Sequence, residues 1–354
     1  MVPATVAVLG AGNGGKATAA DLILRGFPVR LYDRFPEAVA DVQARGGIYL
    51  HGSAQSGFAA VETATTDLAE AVRGAEVLVV VPAFAHEFLI GELVPLLTDG
   101  QTVLFTPGYL GSVILRNRLR EQRPDLHVTV AETCSLPYAC RLIGPAEVGL
   151  RGVKIALDLA ACPARENETA LAALQPLFPI LTLTKNVLEV ALGNPNPVSH
   201  VPTCLLNWGR VEGPRTSQWH DFEEWVTPGI HRIQERLDAE RVAVIAGLGL
   251  TGMDHHAWSL RAYGGKPKDF LTTKGEIPAN AMAVPERYIT EDVPMGLVPL
   301  EALGQAAGVP TPVATLLISL ASVLHEREYR QTGRHLGVLG WHGLTTKDIL
   351  KQVN

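Results

Sequence analysis

The segment Gly10-Ala11-Gly12-Asn13-Gly14-Gly15 limits the possible folds of this chain more than any other. It follows a short, wholly apolar run, Val6-Ala7-Val8-Leu9, of the kind that forms a strand buried on both faces of a parallel sheet. It precedes a helical pattern over residues 16–25, which Gly26 can end as a C-cap. A second strand-like run, Val29-Arg30-Leu31-Tyr32, then closes on Asp33. Gly10 permits the tight turn, Gly12 lets the backbone approach a pyrophosphate, and Gly15 lets the helix pack close to the strand. Asp33 lies about 20 residues past the first glycine, where a ribose-binding carboxylate is expected. A glycine-rich turn alone is a weak signal. Strand, turn, helix and acid in that order predict a dinucleotide-binding βαβ unit with cofactor contacts at Gly10, Ala11, Gly12, Asn13, Gly14 and Gly15. Asp33 favours NAD, because a carboxylate repels a 2′-phosphate. Arg34 could accept that phosphate, which leaves NADP open.

Strand–helix alternation continues beyond this unit. Buried strands are expected over residues 76–81, 102–105 and 127–131, then over 153–159 and 181–184 around a helix at 164–178. In a doubly wound sheet the carboxyl ends of the strands line the ligand crevice. This puts Pro82-Ala83-Phe84, Thr106-Pro107-Gly108 and Glu132-Thr133 beside the nicotinamide half of the cofactor, so Pro82 and Pro107 are expected cofactor neighbours. Glu132 and Thr133 are candidate substrate contacts, weighed against the plainer reading of strand-end residues facing water. After Asn186 the pattern changes to long helical periodicity, over 222–247 and 310–326, with no clear strands. The expected fold is α/β: a Rossmann domain over residues 1–185 and an all-α domain over 186–354.

Composition excludes several classes of partner. The 354 residues include 19% charged side chains with a net charge of −6 and no Lys/Arg block, which argues against nucleic acid and anionic membrane surfaces. No apolar run approaches the roughly 20 residues of a membrane span. The chain enters its first strand without a signal peptide, so a cytoplasmic protein is expected. Cys134, Cys140, Cys162 and Cys204 form no C-x-x-C pair and no zinc spacing, and are expected as free thiols. Asp254-His255-His256 places two imidazoles about 100° apart on a helix, too divergent to share one ion. No metal is expected, and a homodimer is compatible with the chain.

Two distant segments carry the candidate chemistry. Asn194-Pro195-Asn196-Pro197-Val198-Ser199-His200-Val201-Pro202 holds a histidine fenced by prolines. A lone histidine is more often structural, but this local rigidity suits a positioned general base. Glu286-Arg287-Tyr288-Ile289-Thr290-Glu291-Asp292-Val293-Pro294 offers an arginine and a carboxylate. Asp292 could orient the histidine, and Arg287 could clamp a substrate carboxylate in two-point fashion. On an ideal helix Arg287 and Asp292 would diverge by about 140°. Pro285 and Pro294 therefore argue for a loop or short turn in which both converge.

At these motifs the chain resembles the octopine/opine dehydrogenase family. The resemblance rests on the glycine segment at 10–15, on Ala131-Glu132-Thr133 with Leu136-Pro137-Tyr138-Ala139-Cys140-Arg141, on Asn194-Pro195-Asn196 leading to His200-Val201-Pro202, and on Arg287-Tyr288 through Glu291-Asp292-Val293-Pro294. It implies a Rossmann domain followed by a helical domain, and the NAD(P)H-dependent joining of an α-keto acid to the amine of an amino acid through imine reduction. It further implies His200 as the catalytic base, Asp292 as its partner and Arg287 as the substrate-binding arginine. Two other readings compete. Dehydrogenases of the glycerol-3-phosphate or ketopantoate type resemble the N-terminal half, but generally use a lysine where the second domain begins. A dinucleotide-sensing protein without turnover would bind NAD(H) and oxidise nothing.

Overall fold

The apolar runs Val-Ala-Val-Leu and Val-Leu-Val-Val are buried at every position, as strands covered on both faces must be. They lie at the centre of an eight-stranded sheet, ordered β12 (Leu181–Leu183), β11 (Leu157–Ala161), β8 (Thr129–Thr133), β7 (Thr102–Phe105), β6 (Val77–Val80), β1 (Val6–Leu9), β2 (Val29–Tyr32) and β5 (Thr63–Thr65). The computed structural model describes residues 3–52, 55–213, 225–264 and 285–354. From β5 through β8 every pairing is parallel, and β11 joins β8 antiparallel. The chain leaves β1 toward β2 on one side and later returns to β6 on the other. That reversal opens a crevice at the carboxyl ends of β1 and β6.

Helices α1 (Asn13–Leu24), α2 (Pro36–Arg45), α3 (Leu68–Val72), α4 (His86–Leu93), α5 (Gly111–Gln122) and α6 (Asn167–Leu174) alternate with these strands. A second sheet, β4 (Gly57–Ala60), β3 (Gly47–His51), β10 (Glu147–Val153) and β9 (Tyr138–Gly144), packs on α1. The sequence patterns did not predict it. β9 and β10 are half-buried and broken by glycine and arginine, and their pairing shifts register twice, so neither shows clean alternation.

The strand expected over 153–159 is two strands in different sheets. Between them the Lys154 N–H donates to the Pro137 carbonyl at 3.0 Å and that of Ile155 to the Ala262 carbonyl at 2.8 Å, which carries the chain from one sheet to the other. The helix expected over 164–178 is a single 3₁₀ turn, Ala164–Glu166, followed by the shorter α6.

Beyond β12 the described residues contain helices and no strand: α7 (Val187–Leu192), α8 (Asn196–Leu205), α9 (Trp208–Val211), α10 (Pro228–Gly247), α11 (His255–Tyr263), α12 (Pro285–Asp292), α13 (Val298–Ala307), α14 (Pro312–Leu324), α15 (Tyr329–Thr332) and α16 (Thr346–Val353). α10 begins with the Thr227 hydroxyl accepting from the Ile230 N–H and with Pro228 in the first turn, both ordinary start signals. Residues 222–224 of the helix expected there lie outside the described residues. A π-helical turn, Val293–Leu297, links α12 to α13. Its Gly296 lies so close to α8 that a Cβ there would come within 2.4 Å of Pro197 Cγ, which locks the two segments together. Buried apolar residues of the sheet and the helices form one continuous core.

The fingerprint turn gives the first test. A Cβ on Gly15 would fall 1.5 Å from the Gly10 carbonyl oxygen. Gly15→Ala must therefore part strand from helix. We expect at least a tenfold loss of NADH affinity by fluorescence titration and a stability loss of roughly 2 kcal/mol or more in urea unfolding.

Candidate active site

At the crevice the turn after β1 matches the shape of a dinucleotide. Gly10 has φ +107°, and a Cβ there would strike Pro82 at 2.6 Å, so the turn is closely braced by the end of β6. Gly12, by contrast, has nothing within 4 Å of where a Cβ would be, which leaves its backbone open to a pyrophosphate at the head of α1. Asn13 turns inward, its Oδ1 accepting from the Leu142 N–H of β9 at 2.8 Å. The Asp33 carboxylate accepts from the Ala11 N–H at 2.7 Å and from the Phe35 N–H at 3.0 Å, which holds it at the lip of β2. Arg34 lies over the rings of Phe35 and Phe88, 5.0 and 4.4 Å from their centroids. Pro107, after β7, is buried.

Across the crevice, α8 and α12 bring His200 and Asp292 together. His200 Nδ1 lies 2.7 Å from Asp292 Oδ2. The Asp292 side chain is only 2% exposed and that of His200 20%. The Tyr109 hydroxyl donates to the other oxygen, Asp292 Oδ1. The imidazole stacks on the Tyr288 ring, with centroids 3.9 Å apart and planes 18° apart. Arg141 on β9 in turn donates to the Tyr288 hydroxyl at 2.9 Å.

The loop expected around Arg287 and Asp292 is a helix. Pro285 occupies its first turn, where a missing N–H costs nothing, and Pro294 falls in the following π-helical turn. The prolines bound the helix rather than breaking it. Arg287 and Asp292 accordingly fall on different rows of the helix. Helical spacing instead builds two adjacent rows. Tyr288 and Asp292, four apart, both meet His200. Arg287 and Glu291, also four apart, form a loose pair at 3.8 Å with the arginine 46% exposed.

Glu132 and Thr133 are the last two residues of β8, and their side chains are engaged within the protein. Both lie within β8 rather than beyond its end, Glu132 opposite Phe105 of β7 and Ala160 of β11. The Glu132 side chain is fully buried and accepts from the N–H groups of Leu110 and Ser112 and from the Ser112 hydroxyl at 2.5 Å. Burial raises its pKa, against those hydrogen bonds. The Thr133 hydroxyl bonds Thr106 Oγ1 at 2.8 Å and the Ser135 carbonyl at 2.9 Å. Both anchor the loop after β7. The sequence reading gave Tyr109, Tyr288 and Glu291 no role, although the last two stand in its late motif. Helical spacing would have found two of them, Tyr288 four before Asp292 and Glu291 four after Arg287, and Tyr109 had no signal. Asp254 caps α11 by accepting from the Ala257 N–H, and among the described residues no cluster of three His, Cys, Asp or Glu side chains could hold a metal. All four cysteines are buried and free.

Comparison with known proteins places these features. The profile of the NAD/NADP octopine/nopaline dehydrogenase alpha-helical domain matches residues 183–325, and that of the NAD-dependent glycerol-3-phosphate dehydrogenase N-terminus matches residues 5–108. The chain is 34% identical to the opine dehydrogenase of Arthrobacter sp. (strain 1C) over 99% of its own length and 98% of that protein's. It is 30% identical to the vitopine synthase of Allorhizobium ampelinum, over 99% of both. Its fold is similar to that of octopine dehydrogenase solved with NADH and L-arginine, at a TM-score of 0.72 and 23% identity, covering 98% of each chain.

One group in this site makes stability depend on pH. Burial, reinforced by neighbouring Asp292 and opposed by Arg287, pushes the Glu291 carboxyl from its ordinary 4.5 up to about 7. The folded chain thus holds this proton where the unfolded chain has released it. The associated stability is fully present below about 4.5 and lost as pH rises through about 7. Glu291→Gln should remove the penalty of the buried charge. We expect the variant to be more stable than the parent at pH 8, on the order of 1–3 kcal/mol, with the gain shrinking toward pH 5. Thermal unfolding at the two pH values checks this, and an equal effect at both would refute it.

Proposed function

The chain belongs to the octopine/opine dehydrogenase family, and on that premise we propose that it condenses a small α-keto acid with the α-amine of an amino acid, with His200 as the acid–base group. It is an NAD(P)-dependent oxidoreductase acting on the CH–NH bond, reducing the imine in one direction and oxidising the secondary amine in the other.

The observation that carries the role of His200 is its 2.7 Å contact with buried Asp292. With Nδ1 directed at that carboxylate, proton exchange with substrate falls to Nε2. Imine formation needs a neutral amine, so the imidazole takes the ammonium proton. Loss of water from the carbinolamine needs an acid, and the imidazolium returns the proton to the departing hydroxyl. Asp292 stabilises the imidazolium between the two steps, and Tyr288 holds the ring plane. Bound at the glycine turn, the dinucleotide supplies the hydride. The residues to hold it are Gly10, Gly12, Gly15 and Asp33, with Pro82 beneath the turn.

Arg287 is the candidate clamp for a substrate carboxylate. Its planar fork suits that group, it is half-exposed, and its internal partner Glu291 is held only loosely. Pyruvate is the first keto acid to try, since the net charge of −6 gives no sign of a strongly anionic substrate such as a phosphate. The partners proposed are therefore small molecules, and no described helix is long and apolar enough to cross a membrane.

NADH consumption across a matrix of amino acids and keto acids, with mass detection of the product, tests this reading. Turnover should require both substrates; reduction of a keto acid at full rate without amine would refute condensation. His200→Ala should lower kcat by on the order of 10²–10⁴ with NADH binding intact, and near-normal turnover would remove His200 from the mechanism. A second prediction concerns the cofactor. NADH should be preferred over NADPH, and Asp33→Ala should narrow the ratio of kcat/KM for the two. A strong NADPH preference in the parent would shift the role to Arg34.

A further inference from the structure

Tyr109 is the second group on the Asp292 carboxylate, and the chemistry above does not use it. Its hydroxyl donates to Asp292 Oδ1, the oxygen opposite the one that meets His200. The residue is 3% exposed. Burial first, and the Asp292 charge second, push its phenol well above the ordinary range, so it remains a donor at every working pH.

The backbone holds Tyr109 against a conformational cost. Tyr109 has φ +50° and Leu110 φ +67°, a region that non-glycine residues enter at roughly 1 kcal/mol or more each. Such conformations persist only where the surroundings over-determine them. Here Glu132 accepts from Leu110 and Ser112 below the loop. From above, the Arg334 guanidinium, in a residue 1% exposed, donates to the carbonyls of Tyr109 and of Gly108, the latter at 3.3 Å. The backbone N–H of Arg334 also donates to the Pro294 carbonyl at 2.8 Å, two residues past Asp292. One arginine therefore ties the strained loop of the sheet half to the turn that follows Asp292.

A carboxylate bonded through one oxygen can still rotate about its own bond. A second donor on the other oxygen fixes its plane. We propose that Tyr109 is a positioning residue for the acid–base step, holding Asp292 so that the imidazole of His200 keeps its tautomer and aim. The proposal rests on the reading of His200 given above.

Tyr109→Phe keeps the ring and removes the donor. We expect kcat to fall on the order of tenfold or more, with KM for both substrates and NADH affinity within about twofold of the parent. In an Asp292→Asn background the same change should cost less than about twofold, because its effect runs through that carboxylate. An unaltered kcat, equal losses in both backgrounds, or a raised KM with kcat intact would each overturn the proposal. Should circular dichroism show that Tyr109→Phe does not fold, Arg334→Lys serves instead. It retains the charge but loses the two-carbonyl grip, so it should lower kcat with KM unchanged, and full turnover would overturn the idea. If His200→Ala retains turnover, the underlying acid–base reading fails. If His200→Ala is inactive and Tyr109→Phe is normal, only the present proposal fails.

Discussion

The Asp292 carboxylate is the point on which the two halves of this molecule agree. It is buried, so its charge must be compensated by good donors or its burial would cost several kcal/mol. One donor, His200, comes from the helical half, and the other, Tyr109, from the loop after β7 in the sheet half. Neither half alone satisfies the group. The geometry at Asp292 therefore reports the docking of α8 and α12 on the sheet as a whole. The close approach of Gly296 to Pro197 serves the same end, since any looser packing would move His200 relative to the carboxylate.

A single helical register on α12 then separates two kinds of work. The Tyr288–Asp292 row faces His200 and is buried. The Arg287–Glu291 row lies beside it, with its arginine reaching toward solvent. A strong internal ion pair would hold Arg287 away from any substrate. The observed one is long, and the raised pKa of Glu291 weakens it further near neutrality. On the role proposed for Arg287, a substrate carboxylate would take it over without breaking a tight bridge.

How much of this the sequence announced depended on whether the signal was local. The central strands and the glycine turn were legible because continuous apolar runs and G-x-G-x-x-G act within one short segment. The second sheet was not, because β9 and β10 are half-exposed and interrupted, and they pair with β3 and β4 from far earlier in the chain. Prolines misled at α12, where they mark the start of one helix and the turn before the next rather than a loop. The motif residues His200 and Asp292 could be singled out as chemistry-bearing types, and the fold brings them into contact. Tyr109 could not be singled out, since its importance comes from a strained backbone and from a partner far along the chain. Glu132 shows what a strand-end acid does not announce: its carboxylate is fully buried and holds the N–H groups of Leu110 and Ser112 in the loop after β7.

The division between backbone and side-chain recognition accounts for the pattern of likeness to other proteins. The turn at 10–15 needs close backbone approach, a braced proline and one acid, and those needs are the same whatever is oxidised. Residues 5–108 accordingly match a profile drawn from the N-terminus of NAD-dependent glycerol-3-phosphate dehydrogenases. On the proposed reading the helical half places an imidazole, its carboxylate and a guanidinium around one carbon–nitrogen bond, and it matches the profile of the octopine/nopaline dehydrogenase helical domain. Fold alone would have left several dehydrogenase reactions open. On the proposed reading the reaction is decided where α8 and α12 meet, by side chains the sheet can orient but does not supply, apart from the hydroxyl of Tyr109.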